Sequence, residues 1–143
     1  MIDYQDLIRD HDLIDHIAAE LESAARSHMS RQPCIDPLID RLARVVASHL
    51  EKEDSFIYPG LVGSKDPADA TSLIIEFDVI KRDWETYLLA WRDGAAASDW
   101  PAFRVATLGM LSRLRERVMK ETSLLYSMAL REGRITMKPS AAF

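Results

Sequence analysis

The sequence predicts a single all-α domain, an up-down-up-down bundle of four helices with short connections. Apolar residues recur at alternating steps of three and four along four segments, and residues that favour turns separate those segments. No stretch of useful length alternates with the two-residue period of a strand, so no strand is predicted. Residues 1–133 are predicted to form the bundle, and residues 134–143 a flexible C-terminal tail. A chain of 143 residues, 48% of them hydrophobic, is long enough to bury one core.

The first two helical segments are separated by a proline-containing break across residues 30–36. The apolar seam of the first segment consists of Tyr4, Leu7, His11, Ile14, Ala18, Leu21 and Ala25. Asp36-Pro37 then has the pattern of an N-cap followed by proline at the first helical position. The second seam consists of Leu38, Leu42, Val45, His49, Lys52 and Phe56, with Val46, Leu50, Glu53 and Ile57 beside it. Pro59-Gly60 is predicted to end this helix.

The third and fourth segments have similar boundaries. Asp66-Pro67 repeats the cap-and-proline start, and Asp93-Gly94 is predicted to stop the third helix. Its seam consists of Leu73, Phe77, Ile80, Trp84, Tyr87 and Trp91. Ser98 or Asp99, followed by Pro101, is predicted to start the fourth helix. The fourth seam consists of Phe103, Thr107, Met110, Leu114, Arg117, Glu121, Leu124 and Met128.

Among the polar side chains on these seams, five stand out: His11, His49, Glu53, Arg117 and Glu121. Burying a charge without a partner costs several kcal/mol, roughly its desolvation penalty, so each of them needs a reason. His49 and Glu53 lie four residues apart and share a helix face, and the same holds for Arg117 and Glu121. Imidazole and carboxylate groups both suit iron, manganese or zinc. The seams therefore predict candidate metal ligands in the core.

The motifs around these residues resemble the hemerythrin-like, HHE cation-binding family. Asp10-His11 matches the family's first element, and the stretch from His49 to Glu53 matches its His-x-x-x-Glu element. The continuation Tyr58-Pro59-Gly60-Leu61 and the later Leu124-Leu125-Tyr126 are also similar to the family. The resemblance covers about residues 3–130. It implies a four-helix bundle with a non-heme di-iron centre whose ligands come from all four helices.

Two positions depart from the family pattern. The third element reads Glu76-Phe77 where the family has Glu-His, and Arg117 stands where the family has the first histidine of its last His-x-x-x-Glu. Phe77 offers no ligand atom, and Arg117 is a permanent cation that repels a metal ion. These losses argue against a classical di-iron centre and against reversible oxygen binding.

The retained family positions are His11, His49, Glu53 and Glu121, which can hold at most one metal ion, iron or zinc. We therefore predict either no cofactor or a single ion. In the metal-free alternative, the Arg117 guanidinium occupies the old metal site and bridges Glu53 and Glu121 with charge-assisted hydrogen bonds.

Three functions follow as hypotheses. The first is a small binding, sensing or regulatory protein, metal-free or with one ion, and the second is a functional non-heme iron protein for oxygen, nitric oxide or redox sensing. The third is a histidine phosphotransfer domain using His49 and Lys52, disfavoured because Glu51, Glu53 and Asp54 surround that histidine. No serine or cysteine has a recognisable base nearby, which argues against a hydrolytic enzyme.

Composition narrows the partners and the location. The net charge of −5 without a basic stripe argues against nucleic acid, and no run of about 18 apolar residues exists to cross a membrane. The single cysteine, Cys34, in a predicted loop, fits a reducing cytoplasm. Trp100 and the terminal Phe143 are predicted to be exposed and to serve a protein partner or homodimer. His16 is predicted to face solvent.

Overall fold

The computed structural model describes residues 2–27, 32–61, 67–131 and 133–137, and they form the predicted all-α bundle. The helices are α1 (Tyr4–Ala25), α2 (Gln32–Phe56), a short α3 (Tyr58–Leu61), α4 (Pro67–Trp91), α5 (Trp100–Lys120) and α6 (Tyr126–Arg131). A 3₁₀ turn at Ala95–Ser98 precedes α5, and a π-helical turn at Glu121–Leu125 joins α5 to α6 into one rod. Helix α1 packs against α2 and α5, and α4 packs against α5. No helix in the described ranges is long and apolar enough to span a membrane.

The buried apolar side chains form two clusters at successive levels of the bundle. The larger cluster includes Leu21, Ile39 and Trp84, and the smaller one includes Leu7 and Phe77. On α1, α2 and the α5–α6 rod, the polar seam residues lie between the two clusters along the chain. Packing on both sides therefore fixes the helices at the level where these polar groups meet.

The predicted helix boundaries are confirmed at three points. Asp99 caps α5, since its side chain accepts a hydrogen bond from the amide of Ala102 at 3.2 Å. Asp93 and Gly94, with φ of 59° and 84°, adopt the left-handed conformation just beyond Trp91, the last residue of α4. Helix α4 begins at Pro67, as the sequence predicts. His16 is confirmed at the surface, with 69% of its side chain exposed.

The start and the end of helix α2 differ from the predictions. Helix α2 begins at Gln32, so Cys34 lies in a helix and not in a loop, and Pro37 lies inside the helix. Burial of Ile35 and its neighbours outweighs the hydrogen bond that Pro37 cannot donate. Pro59-Gly60 lies within α3, which one residue, Ile57, separates from the actual end of α2 at Phe56.

The prediction of no strands is wrong. Strand β1 (Ile2–Asp3) pairs in parallel with β2 (Ile135–Thr136), and both isoleucines are buried in the smaller apolar cluster. Strand β2 of this pair lies in the predicted tail 134–143, of which residues 138–143, including Phe143, are outside the described residues. His28, which extends the first seam in the sequence, is outside them as well. Burial of Ile2 and Ile135 explains why the two segments pair. Each strand is only two residues long, which is too short to give a periodic signal in the sequence.

Trp100 is half-buried, so the prediction that it is exposed is wrong. Its indole packs against Phe103 with ring centroids 5.2 Å apart, and its Nε1 donates to the carbonyl of Ser27 at 3.1 Å. The apolar ring and the polar N–H both find partners at the end of the bundle.

Two predicted seam positions, Phe56 and Leu124, are exposed, for different reasons. A strict seven-residue repeat drifts about 20° per heptad around a helix of about 3.6 residues per turn. By the end of α2, the core-facing position has therefore moved from Phe56 to Ile57. Leu124 lies in the π-helical turn, which contains one residue more than an α-helical turn. Beyond it, the buried positions are shifted by one residue, to Leu125 and Ala129.

Deletion of the exposed Ser123 should convert the π turn to α-helix and keep Leu125 and Tyr126 facing the core. We expect the free energy of unfolding to change by less than about 1 kcal/mol. Deletion of the exposed Ser112 in α5 is the matched control, because it rotates everything beyond it by about 100° and should cost more than about 4 kcal/mol. Denaturant unfolding followed by circular dichroism measures both. Equal losses of stability in the two deletion variants would contradict the one-residue shift of the buried positions beyond the π turn.

Candidate metal centre

Four predicted ligand residues converge in the space between the two apolar clusters. One ligand atom from each of His11, His49, Glu53 and Glu121 lies within 4.8 Å of the others. Their exposed fractions are 4%, 2%, 0% and 1%. The Nε2 atom of His11 lies 2.7 Å from Glu121 Oε1, and Nε2 of His49 lies 3.1 Å from the same oxygen and 3.2 Å from Glu53 Oε2. Helices α1, α2 and the π turn thus bring together two imidazoles and two carboxylates.

The outer nitrogens of both imidazoles have partners of their own. Nδ1 of His49 lies 2.9 Å from Asp10 Oδ2, and Lys52 Nζ binds the same carboxylate at 2.9 and 3.1 Å. Nδ1 of His11 lies 3.1 Å from the hydroxyl of Thr122, which itself donates to the Val118 carbonyl. These contacts hold each ring by its Nδ1 edge and direct each Nε2 at the carboxylates.

Arg117 occupies the other side of the same carboxylates. Its Nε donates to Glu121 Oε2 at 2.7 Å, and its Nη2 donates to Glu53 Oε1 at 3.0 Å. Nη2 also donates to the Tyr58 hydroxyl at 2.9 Å, and Nη1 donates to the backbone carbonyl of Phe77 at 2.9 Å. The guanidinium carbon lies 4.9 Å from the centre of the Phe77 ring. The bridging predicted for Arg117 is therefore present.

The charges of the centre depend on each other. Burial opposes ionisation of Glu121, but hydrogen bonds from His11 and His49 and the charge of Arg117 hold its pKa well below the ordinary value. Burial and the nearby charge of Glu121 raise the pKa of Glu53. Burial alone would lower the pKa of His49, but its hydrogen bonds to Asp10, Glu121 and Glu53 raise it to about 11. Without a metal ion, the His49 ring is therefore a cation shared among carboxylates.

Two tyrosines at the centre were not predicted as site residues. The Tyr126 hydroxyl lies 2.9 Å from His11 Nε2, 3.1 Å from His49 Nε2 and 3.0 Å from Glu53 Oε2, and its ring stacks on His11. Tyr58, from α3, meets Arg117 and Glu53 on the opposite side. Both lie in the stretches that resemble the family. Burial and the nearby carboxylates raise the pKa of each phenol.

The donor set fits a single transition-metal ion. Two imidazole nitrogens and two carboxylate oxygens suit iron, manganese or zinc, and partners on Nδ1 are the usual support for histidine ligands. Three separations, His11 to Glu121, His49 to Glu121 and His49 to Glu53, are 2.7–3.2 Å, shorter than the ~3.4 Å that tetrahedral ligands reach with bonds of ~2.1 Å, whereas the four atoms together lie within 4.8 Å of one another. Side-chain shifts, outward for the close pairs and inward for the wider ones, would let the four atoms bind one ion. Phe77 contributes no donor atom from its side chain.

Arg117→Met in metal-free protein should lower the free energy of unfolding by about 3–5 kcal/mol, because it leaves two carboxylates buried without their cation. Adding Glu53→Gln to this variant should recover part of the loss. Arg115→Met is the matched control, since Arg115 pairs with Glu22 where both side chains are partly exposed, and should cost less than about 1 kcal/mol. Urea unfolding of the variants measures the differences. Equal losses for Arg117→Met and Arg115→Met would contradict the network.

Comparison with known proteins agrees with the geometry. The model of the Hemerythrin HHE cation binding domain matches residues 3–129, nearly the whole chain. No curated protein and no solved structure shows significant similarity to this sequence. The matched range contains the four candidate ligands together with Phe77 and Arg117. The chain belongs to the hemerythrin HHE cation-binding domain family.

Proposed function

We propose that this domain binds one metal ion through His11, His49, Glu53 and Glu121 and serves as a small metal-dependent sensing or regulatory protein. The observation that carries the proposal is the convergence of four buried donor atoms within 4.8 Å of one another. Iron and zinc are the candidate ions, because both accept this mixture of nitrogen and oxygen ligands.

Each carboxylate directs one oxygen at Arg117 and the other at the histidines, and this arrangement supports one bound ion over two. Glu53 directs Oε1 at Arg117 and Oε2 at His49, and Glu121 directs Oε2 at Arg117 and Oε1 at both histidines. The guanidinium thus takes up the outer oxygen of each carboxylate. A second metal ion would have to displace a cation that makes five hydrogen bonds or ring contacts in the same space.

Burial of the centre supports a binding or sensing role over phosphotransfer. A phosphotransfer histidine must be exposed to its partner's phosphate, whereas His49 is 2% exposed and both of its ring nitrogens face carboxylates. A transition-metal ion among these ligands supplies redox chemistry if it is iron and a fixed structural charge if it is zinc. The chain's own residues orient the two imidazoles and exclude bulk water from them.

Protein purified without chelator should contain close to one equivalent of iron or zinc per chain by elemental mass spectrometry. His49→Ala should remove the ion, because it deletes one ligand and the partner of Asp10. A saturating ion should raise the free energy of unfolding by about 2.7 kcal/mol at one hundred times its dissociation constant. Two equivalents would contradict the role given to Arg117, and none would leave a metal-free bundle built on the Arg117 network.

His16→Ala is the matched control for this measurement. His16 lies on the same helix as His11 and also contacts a glutamate, Glu20, at 2.9 Å, but its side chain is 69% exposed. Replacing His16 should leave unchanged both the metal content and the rise in the free energy of unfolding that the ion causes. A loss of metal in this variant would mean that the ion binds at the surface pair.

Metal affinity should rise at least about tenfold per pH unit between pH 6 and pH 8. The pKa of His49 in metal-free protein is about 11, so an ion that binds Nε2 must displace a proton throughout this range. Competition with a chelator of known zinc affinity, measured at several pH values and corrected for the chelator's own protonation, gives the slope. An affinity independent of pH would contradict ligation by His49.

A further inference from the structure

The hydroxyl of Tyr126 lies among the four candidate ligand atoms. Its distances to His11 Nε2, His49 Nε2, Glu53 Oε2 and Glu121 Oε1 are 2.9, 3.1, 3.0 and 3.3 Å. A phenol has one proton to donate and two lone pairs, so it cannot satisfy four polar neighbours by hydrogen bonding alone. An oxygen within 3.3 Å of all four donor atoms is within reach of any ion that they bind, and a shift that makes room for the ion turns it into a fifth donor.

The π-helical turn is what places Tyr126 there. In an α-helix, a residue five positions after Glu121 is rotated about 140° from it and faces elsewhere. Here the amide of Tyr126 bonds to the carbonyl of Glu121, five residues earlier, and the wider turn stacks Tyr126 beneath Glu121. Such turns are rare and occur frequently at functional sites. The local geometry of the helix therefore delivers the phenol to the centre.

The charge of the centre calls for another anion when a metal ion is bound. A divalent ion and Arg117 together carry three positive charges, whereas Glu53 and Glu121 carry two negative ones. Asp10 and Lys52 neutralise each other at 2.9 Å. One unbalanced buried charge costs several kcal/mol, roughly the penalty for desolvating an ion. A phenolate at Tyr126 supplies the missing negative charge within the ligand shell.

We propose that Tyr126 is a fifth ligand of the metal ion and binds it as a phenolate through Oη. The inference rests on the proposed function, since it requires that an ion occupy the centre. On binding, the phenol O–H bond breaks, the proton passes to the solvent buffer, and an oxygen–metal bond forms. No electron is transferred in this step. Tyr58, whose hydroxyl accepts from Arg117, stays outside the ligand shell.

Protein loaded with iron(III) should show a visible phenolate-to-iron charge-transfer band and tyrosinate modes in its resonance Raman spectrum. Tyr126→Phe should lack both signals and bind zinc at least about tenfold more weakly. On binding zinc, it should release one proton fewer per ion than the wild-type protein, which calorimetry in buffers of different ionisation enthalpy measures. The proton count applies to zinc as well as iron, so the test does not depend on which ion is preferred.

Tyr87→Phe is the matched control. Tyr87 is also buried and hydrogen-bonded, to Thr107 at 2.7 Å, but it lies in the larger apolar cluster away from the centre. This variant should retain the band, the zinc affinity and the proton count. It separates loss of a ligand from the general cost of removing a buried hydroxyl.

The possible outcomes distinguish the two proposals. If wild-type protein binds one ion but shows no charge-transfer band with iron(III) and releases no more protons than Tyr126→Phe, the role of Tyr126 is overturned. The metal-binding function then still stands. A band that persists in Tyr126→Phe also overturns that role. Protein that binds neither iron nor zinc overturns both proposals. Because the wild-type spectrum is decisive by itself, the test survives a Tyr126→Phe variant that does not fold.

Discussion

The salt bridges of Arg117 with Glu53 and Glu121 are the interaction on which the rest of the centre depends. A buried carboxylate is costly without a cation, and two of them side by side are more so. Through one side chain, the guanidinium connects α2, α3, α4 and α5, since it also meets Tyr58 and the backbone of Phe77. Arg117 therefore offsets part of the cost of bringing these helices together at this level. Its position fixes the spacing within which the histidines meet the carboxylates.

The arrangement has two sides with different chemistry. On one side, a permanent cation and an aromatic ring satisfy the outer oxygens of the carboxylates. On the other side, two imidazoles face the inner oxygens, and each imidazole is held at its far nitrogen by Asp10 or Thr122. The guanidinium on the first side keeps its charge at any pH at which proteins fold, because it does not lose its proton. The second side is the part that, in the proposed function, exchanges a proton for a metal ion.

Sequence periodicity predicted the fold and most of the centre, because the relevant residues lie where the seams are regular. His11, His49 and Glu121 were placed in the core by steps of three and four alone, and the bridging by Arg117 followed from its position. Tyr126 was not placed there, since a π turn inserts a residue that no periodic pattern shows. Asp10 could not be assigned to His49 because they lie 39 residues apart on different helices. The two-residue strands were likewise too short to give a signal.

The ionic centre also divides the hydrophobic interior into two parts. Apolar side chains such as Leu21 and Trp84 pack on one side of it, and Leu7, Ile57 and Phe77 pack on the other. Continuous apolar packing would make the whole bundle open and close as one cooperative unit. Here the two parts are joined at a level where polar contacts replace apolar ones, so we expect the smaller part to open locally while the larger part stays folded. An ion bound at the centre, as proposed, would join α1, α2 and the π turn and would couple the local unfolding of the two ends more strongly.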